Sequence, residues 1–218
     1  FKEVENFLTD NTERDNFFLW IDCFDPHEPW DAPPEFVRKY SSLPNDDGRI
    51  DPRLWGVRDT SGGISKTVCD RIKTCYAAKV SWMDHCLGGM LRKLEETGLH
   101  KNTAVVFTSD HGTELNEWGY FGKTPPVKEQ EGHVPLMIQV PGGPTGEDDS
   151  IVQPQDIFAS ILNLAGLQVP AALDGRNLLR TSGEDPAQRE IALAGTAASN
   201  WEKARYQFTV FGKNYYLL

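Results

Sequence analysis

The stretch that decides the fold is Thr103–Lys123, TAVVFTSDHGTELNEWGYFGK. It opens with an apolar, β-favouring run, Ala104 to Thr108, and stops abruptly at Ser109-Asp110-His111-Gly112. Such a run predicts a buried strand of a parallel sheet that delivers two versatile side chains at its carboxyl end. Open α/β sheets keep their ligands at that end. Asp110 offers a hard carboxylate oxygen and His111 an imidazole nitrogen, so the two are candidate metal ligands, and Gly112 lets the backbone turn away beneath them. Lys123, about a dozen residues on, can return to the same place as a positive charge for an anion. Taken alone, Asp-His-Gly after a strand is equally an ordinary turn, because all three residues suit turns.

Working outward, Phe17–Cys23 (FFLWIDC) is apolar on both faces and predicts a central parallel strand covered by helices on either side. It runs into Asp25-Pro26-His27-Glu28-Pro29-Trp30, where the prolines hold His27 on a stiff loop. Ala32–Tyr40 reads as a short helix opened by proline, following the end of a helix at Phe1–Leu8. Ser41–Lys66 is rich in Pro, Gly and Asp without hydrophobic period, the composition of a lid or binding loop in which Trp55 and Arg58 are candidate substrate contacts. Thr67–Thr97 is a helix by its apolar repeat of Val68, Ile72, Cys75, Trp82, Cys86, Met90 and Leu94, opened by a capping box of Thr67 with Asp70 and stopped at Gly98. Gly98–Asn102 then leads into the Ala104 run, an αβ unit that makes a right-handed crossover from the first strand.

Downstream, His133 precedes a third buried strand, Val134–Val140. Pro154–Leu164 predicts a helix with Ile157, Ile161 and Leu164 on its apolar face and Gly166 as its stop. Thr181–Gln188 is linker-like, and Gln207–Leu218 reads as a hairpin turning at Gly212-Lys213-Asn214. The organisation expected is one α/β domain over residues 1–180 with an extension over 181–218.

Composition narrows the partners. The 218 residues are 39% hydrophobic and 25% charged, as in an ordinary globular protein, with a net charge of −10. No basic stripe is present to meet a nucleic-acid backbone or an anionic membrane, so neither is an expected partner. No apolar run reaches the length of a transmembrane helix. Cys23, Cys69, Cys75 and Cys86 lack CxxC spacing and matching histidines, which makes them small hydrophobes of the interior rather than a zinc cluster. They lean toward a reducing compartment, which does not fix a localisation.

Together, FFLWIDCFDPHEPW, CYAAKVSWMDHCLGGMLRKLEETGL, NTAVVFTSDHGTEL with FGK, HVPLMIQVPG, and VQPQDIFASILNLAGLQVP with LDGRNLL resemble the sulfatase family of the alkaline-phosphatase-like superfamily, in the family's order and over most of residues 15–180. The resemblance implies an α/β fold, an alkaline-phosphatase-like sheet flanked by helices on both faces. It implies hydrolysis of small-molecule or carbohydrate sulfate esters with a divalent cation, calcium first and manganese or zinc as alternatives. Asp110 and His111 match two ligands of that cation, the family more often having Asn at the second position. Lys123 matches the lysine on the sulfate oxygens, and His27 a histidine near the leaving-group oxygen. Where many members have Arg before Val-Pro this chain has His133, to which no role is carried over. The chemistry agrees with these roles: a sulfate ester's anionic oxygens must be neutralised before attack, and the departing oxygen needs a proton.

One departure stands out. The family's nucleophile is a formylglycine made in a C/S-x-P-x-R motif preceded by Asp-Asp, and neither that motif nor an Asp-Asp ahead of one is present: Ser42-Leu43-Pro44-Asn45 continues with Asp46 instead of Arg. The expectation is therefore a carboxyl-terminal portion of a longer sulfatase, lacking the amino-terminal strands and inactive by itself, with formylglycine supplied by the missing portion. Two alternatives remain: a phosphonate monoester or phosphodiester hydrolase of the same superfamily, since a nitrogen ligand suits manganese or zinc better than calcium, and a non-catalytic binding domain.

Overall fold

The computed structural model describes residues 1–48, 65–119, 121–123, 125–179, 189–197 and 206–217. Trp55, Arg58 and the linker at 181–188 lie outside them. The chain divides into two compact units, Phe1–Thr124 with His133–Pro144, and Pro125–Gly132 with Thr145–Leu218.

The first unit is assembled along one long helix. Helix α1 spans Lys2–Asp10, α2 Pro34–Val37 and α3 Lys66–Glu96. With 31 residues, α3 is about 46 Å long and packs a different element at each level. At its amino-terminal third, Cys69, Ile72 and Cys75 form a core with Trp30 and Phe121. In the middle, Ala78 and Trp82 meet Ala32, Phe36 and Val37 of the α2 region. Near the carboxyl end, Met90 and Leu94 take Leu8 of α1, with Val105 packed alongside. Each fully buried aliphatic side chain such as Ile72 or Val37 stabilises the unit by about 1.5–3 kcal/mol. None of the four cysteines is in a disulfide, with Cys69 and Cys75 buried and Cys23 and Cys86 half-buried.

The ends of α3 follow local rules. Ser65 is the N-cap and its hydroxyl accepts from the Val68 N–H, displacing the expected Thr67–Asp70 box. Asp70 instead takes the Lys66 ammonium one turn back. At the other end Gly98 adopts φ +76°, a left-handed conformation that glycine takes without a Cβ penalty.

Strand β1, Val105–Thr108, leaves this helix and pairs with β4, Leu136–Gln139. The expectation of a parallel sheet is corrected here: the pair runs antiparallel, with Val105 opposite Gln139 and Thr108 opposite Leu136. Apolar continuity reports burial and carries no information on direction. Nor is β4 buried on both faces, since its exposure alternates and Met137 points out. Two short strands, β2 at Glu114–Leu115 and β3 at Phe121–Gly122, form an antiparallel hairpin between them.

Phe17–Cys23 is a second correction. It carries no strand assignment among the described residues. Its side chains alternate only at first: Phe17 and Leu19 are half-buried, with Phe17 edge-on to Phe7, while Phe18 and Trp20 are 70% and 73% exposed; Ile21 and Asp22 are then exposed as well, Cys23 is half-buried and Phe24 is 72% exposed.

In the second unit, α4 (Glu129–Gly132) and α5 (Pro154–Leu164) accompany an antiparallel sheet of β5 (Ile191–Ala197), β6 (Tyr206–Gly212) and β7 (Tyr215–Leu217). The hairpin at Lys213-Asn214 matches the sequence reading, whereas β5 does not figure in it. Helix α5 has the bounds expected and a Gln153–Asp156 capping box. Its buried face differs from the one expected: Asp156, Ala159 and Ser160 face inward, while Phe158 and Leu164 are exposed. The buried Asp156 carboxylate accepts from the Arg189 guanidinium at 2.5 Å and from the Arg176 N–H at 2.8 Å. The Ser160 hydroxyl accepts from the Leu178 N–H, completing a polar seam that clips the 173–179 segment onto the helix.

Candidate active site

His27 and Lys123 meet although 96 residues separate them: His27 Nε2 lies 3.1 Å from Lys123 Nζ. The core around the first third of α3 brings them together. Trp30, three residues after His27, is buried in it, and so is Phe121, two residues before Lys123, with Leu115 of β2 packed against the same cluster. The histidine's orientation is set locally. Its Nδ1 lies 2.8 Å from the Glu28 carbonyl oxygen, which can only accept, so Nδ1 carries the hydrogen and Nε2 presents a lone pair to the lysine. Its ring lies against Phe24, centroids 4.3 Å apart and planes tilted by 37°, and the Glu28 carboxylate lies 3.4 Å from Nδ1.

The loop carrying His27 is fastened at both ends by one buried cation. Lys79, on α3, places its ammonium 2.9 Å from Asp25 and 2.7 Å from Asp31. Burial alone would lower the lysine's pKa, but the hydrogen bonds that it donates to Asp31 and Asp25 outweigh it and hold it above its ordinary value. The same bond to Lys79 holds the Asp31 carboxyl below the usual range. The Trp30 indole N–H donates to the Pro26 carbonyl across the loop at 3.1 Å. Sequence reading passes over Lys79, although one signal marks it: a lysine stands at 79 where the apolar repeat of the helix, between Cys75 and Trp82, calls for a hydrophobe.

Asp110 and His111 follow β1 directly, as the sequence predicts. Asp110 Oδ1 accepts from the His111 backbone N–H at 2.8 Å, and Oδ2 lies 3.4 Å from His111 Nε2. His111 Nδ1 lies 2.9 Å from the Gly112 carbonyl, which again leaves Nε2 as the lone-pair nitrogen. Two cis ligands on bonds of about 2.0–2.4 Å lie roughly 3 Å apart, so a carboxylate oxygen and an imidazole nitrogen at this separation fit adjacent positions on one divalent ion. Among the described residues no group of three or more His, Cys, Asp or Glu side chains could hold a metal ion. The β2–β3 hairpin ties this pair to the first: Glu114 stands opposite Gly122, so the Asp110–His111 turn and Lys123 leave the hairpin from the same end. His133 is exposed on the segment entering β4.

A second carboxylate fixes the start of the long loop. Asp46 accepts from Arg71 of α3, from the Ser41 hydroxyl and from the Gly48 N–H, and the Arg71 bond foremost pulls its carboxyl down to about 2.

Comparison with known proteins now decides the family, because the sulfatase family model matches residues 1–167. The chain belongs to the sulfatase family. This sulfatase chain is 29% identical over 194 residues to an arylsulfatase of Clostridium perfringens, a match covering 81% of the chain and 39% of the arylsulfatase. It thus spans well under half the length of that relative. Among solved structures it is similar to the phosphonate monoester hydrolase of Agrobacterium radiobacter, with a TM-score of 0.74 at 22% identity over 96% of the chain and 51% of the hydrolase. That likeness speaks to the fold, which is the α/β architecture of alkaline-phosphatase-like enzymes. A third relative, solved in complex with its substrate D-glucosamine-2-N,6-O-disulfate, matches 69% of the chain and 32% of its own length at 25% identity and a TM-score of 0.55.

Proposed function

We propose that this chain is the carboxyl-terminal portion of a longer metal-dependent sulfatase that hydrolyses sulfate esters of carbohydrates or small molecules. The observation that carries the reading is the 3.1 Å contact of Lys123 Nζ with His27 Nε2. An ammonium has three N–H donors, so with one directed at His27, two are left for the anionic oxygens of a sulfate. His27 is arranged to take and give a proton at Nε2: the imidazolium would keep Nδ1–H on the Glu28 carbonyl, with the Glu28 carboxylate 3.4 Å away to offset the charge. The proton shared between Lys123 Nζ and His27 Nε2, which Nε2 takes only as the ammonium gives it up, is placed to protonate a departing alkoxide as general acid. Asp110 and His111 would hold the divalent cation, which supplies charge neutralisation at the sulfate. The exposed aromatics Phe18, Trp20 and Phe24 support the view that further polypeptide covers this side, since contiguous exposed aromatics are uncommon on a finished surface. The nucleophile, a formylglycine, would come from that additional sequence.

The test is the reading frame upstream of Phe1 and the activity of its product. An upstream Asp-Asp and C/S-x-P-x-R, with turnover of 4-nitrophenyl sulfate by the longer protein and none by the 218-residue chain, is the expected result. A start codon near Phe1 would favour a binding domain instead. The nitrogen donor His111 keeps one other chemistry in view, phosphonate or phosphodiester hydrolysis on manganese or zinc. Faster turnover of a nitrophenyl phosphate diester than of the sulfate would establish it in place of sulfate hydrolysis.

A further inference from the structure

We propose that Lys79 is the positioning residue of this site, its ammonium closing the Asp25–Asp31 loop into a hoop that sets the angle at which His27 meets Lys123. The assignment rests on the reading of His27 as the proton-handling group.

Three observations carry it. The cation is 8% exposed and both of its carboxylate partners, at 2.9 and 2.7 Å, belong to the one loop that bears His27. An ammonium that merely satisfied its own burial would need partners of any origin, whereas these two flank the histidine by two residues on one side and four on the other. Next, the orientation of the imidazole depends on the loop backbone, through Nδ1 on the Glu28 carbonyl and the His27 N–H on the Phe24 carbonyl at 2.9 Å. Any change in the hoop's shape is therefore transmitted to the ring. Finally, the opposite wall of the loop is fixed independently by Trp30, buried and bonded to the Pro26 carbonyl, so loss of the cation frees the loop ends without releasing the whole segment. Without Lys79 the two carboxylates would repel and the hoop would open.

The test uses the 218-residue chain, isotope-labelled, as wild type, Lys79→Met and Asp31→Asn. Long-range proton–nitrogen correlation reads the His27 tautomer, and hydrogen exchange reads the Trp30 indole N–H. The expected wild-type result is a single Nδ1–H tautomer and a protected indole. In Lys79→Met, His27 should become a tautomer mixture, while the Trp30 N–H, anchored independently of the cation, and the α3 amides stay protected. Asp31→Asn, at a more exposed carboxylate, should give an intermediate change, and it decides the matter if Lys79→Met fails to fold. An unchanged His27 tautomer in either folded variant overturns the proposal. Because neither readout needs turnover, inactivity of the longer protein on sulfate esters would refute the hydrolase reading and leave the positioning result to stand or fall alone.

Discussion

At the scale of single residues, charge placement decides most of what this chain can do. If the proposed function holds, His27→Gln or Lys123→Ala in a form of the protein that turns over sulfate esters should lower kcat by about 10²–10⁴ on alkyl sulfates, with a smaller loss for His27→Gln on 4-nitrophenyl sulfate, whose leaving group needs little protonation. Initial rates on the two esters measure this. Asp46 gives a pH dependence of known sign. Its carboxyl is held near 2 in the folded chain, below its unfolded value, so its stabilisation is complete above about pH 4 and drains away as pH falls toward 2. Asp46→Asn should remove that acid-side loss and on the order of 1–2 kcal/mol of stability at neutral pH, seen as a lower urea midpoint. Asp156 is buried more deeply and carries Arg189. Asp156→Ala should cost about 3–5 kcal/mol, because a buried guanidinium then keeps only the Gln153 side-chain carbonyl and loses its counter-charge. Neither Asp46 nor Asp156 stands out in the sequence, for a carboxylate's burial depends on partners 25 and 33 residues away.

At the scale of elements, the helices were legible and the strands less so. The 3.6-residue repeat from Val68 to Leu94 and the Pro154–Gly166 punctuation are local signals, and both helices appear within a residue or so of the expected bounds. Strand direction is not a local signal, which is why β1 and β4 were expected parallel and are antiparallel. The sequence does not mark strand β5, because IALAGTA is built largely from small residues; a Cβ on its Gly195 would lie 3.0 Å from the Phe208 ring of the neighbouring strand. Two glycines separate backbone strain from crowding. Both Gly98 and Gly48 have positive φ, but a Cβ on Gly98 would meet nothing within 4 Å, whereas one on Gly48 would lie 2.8 Å from Val37. Gly98→Ala should cost about 1 kcal/mol and Gly48→Ala clearly more, a ranking that thermal unfolding can check.

At the scale of the whole molecule, the meeting of His27 with Lys123 arises from a shared core rather than from a motif. The sequence marks the two loop tips, but their common anchor, Trp30 and Phe121 on one third of α3, is a property of packing. The pair Asp110–His111 should bind calcium only weakly in this chain, since an incomplete ligand set gives little coordination energy; calorimetry should find affinity no tighter than the millimolar range of weak sites. Helix α3 serves as an indexing shaft for the first unit, carrying the His27 loop, the α2 region and α1 at three successive stations. A single alanine inserted between Lys79 and Trp82 would advance everything downstream by about 100° and 1.5 Å while leaving both halves helical. Such an insertion would throw α1 and the root of β1 out of phase with the His27 loop, so the spacing along this shaft should tolerate no slippage even where its individual side chains can be exchanged.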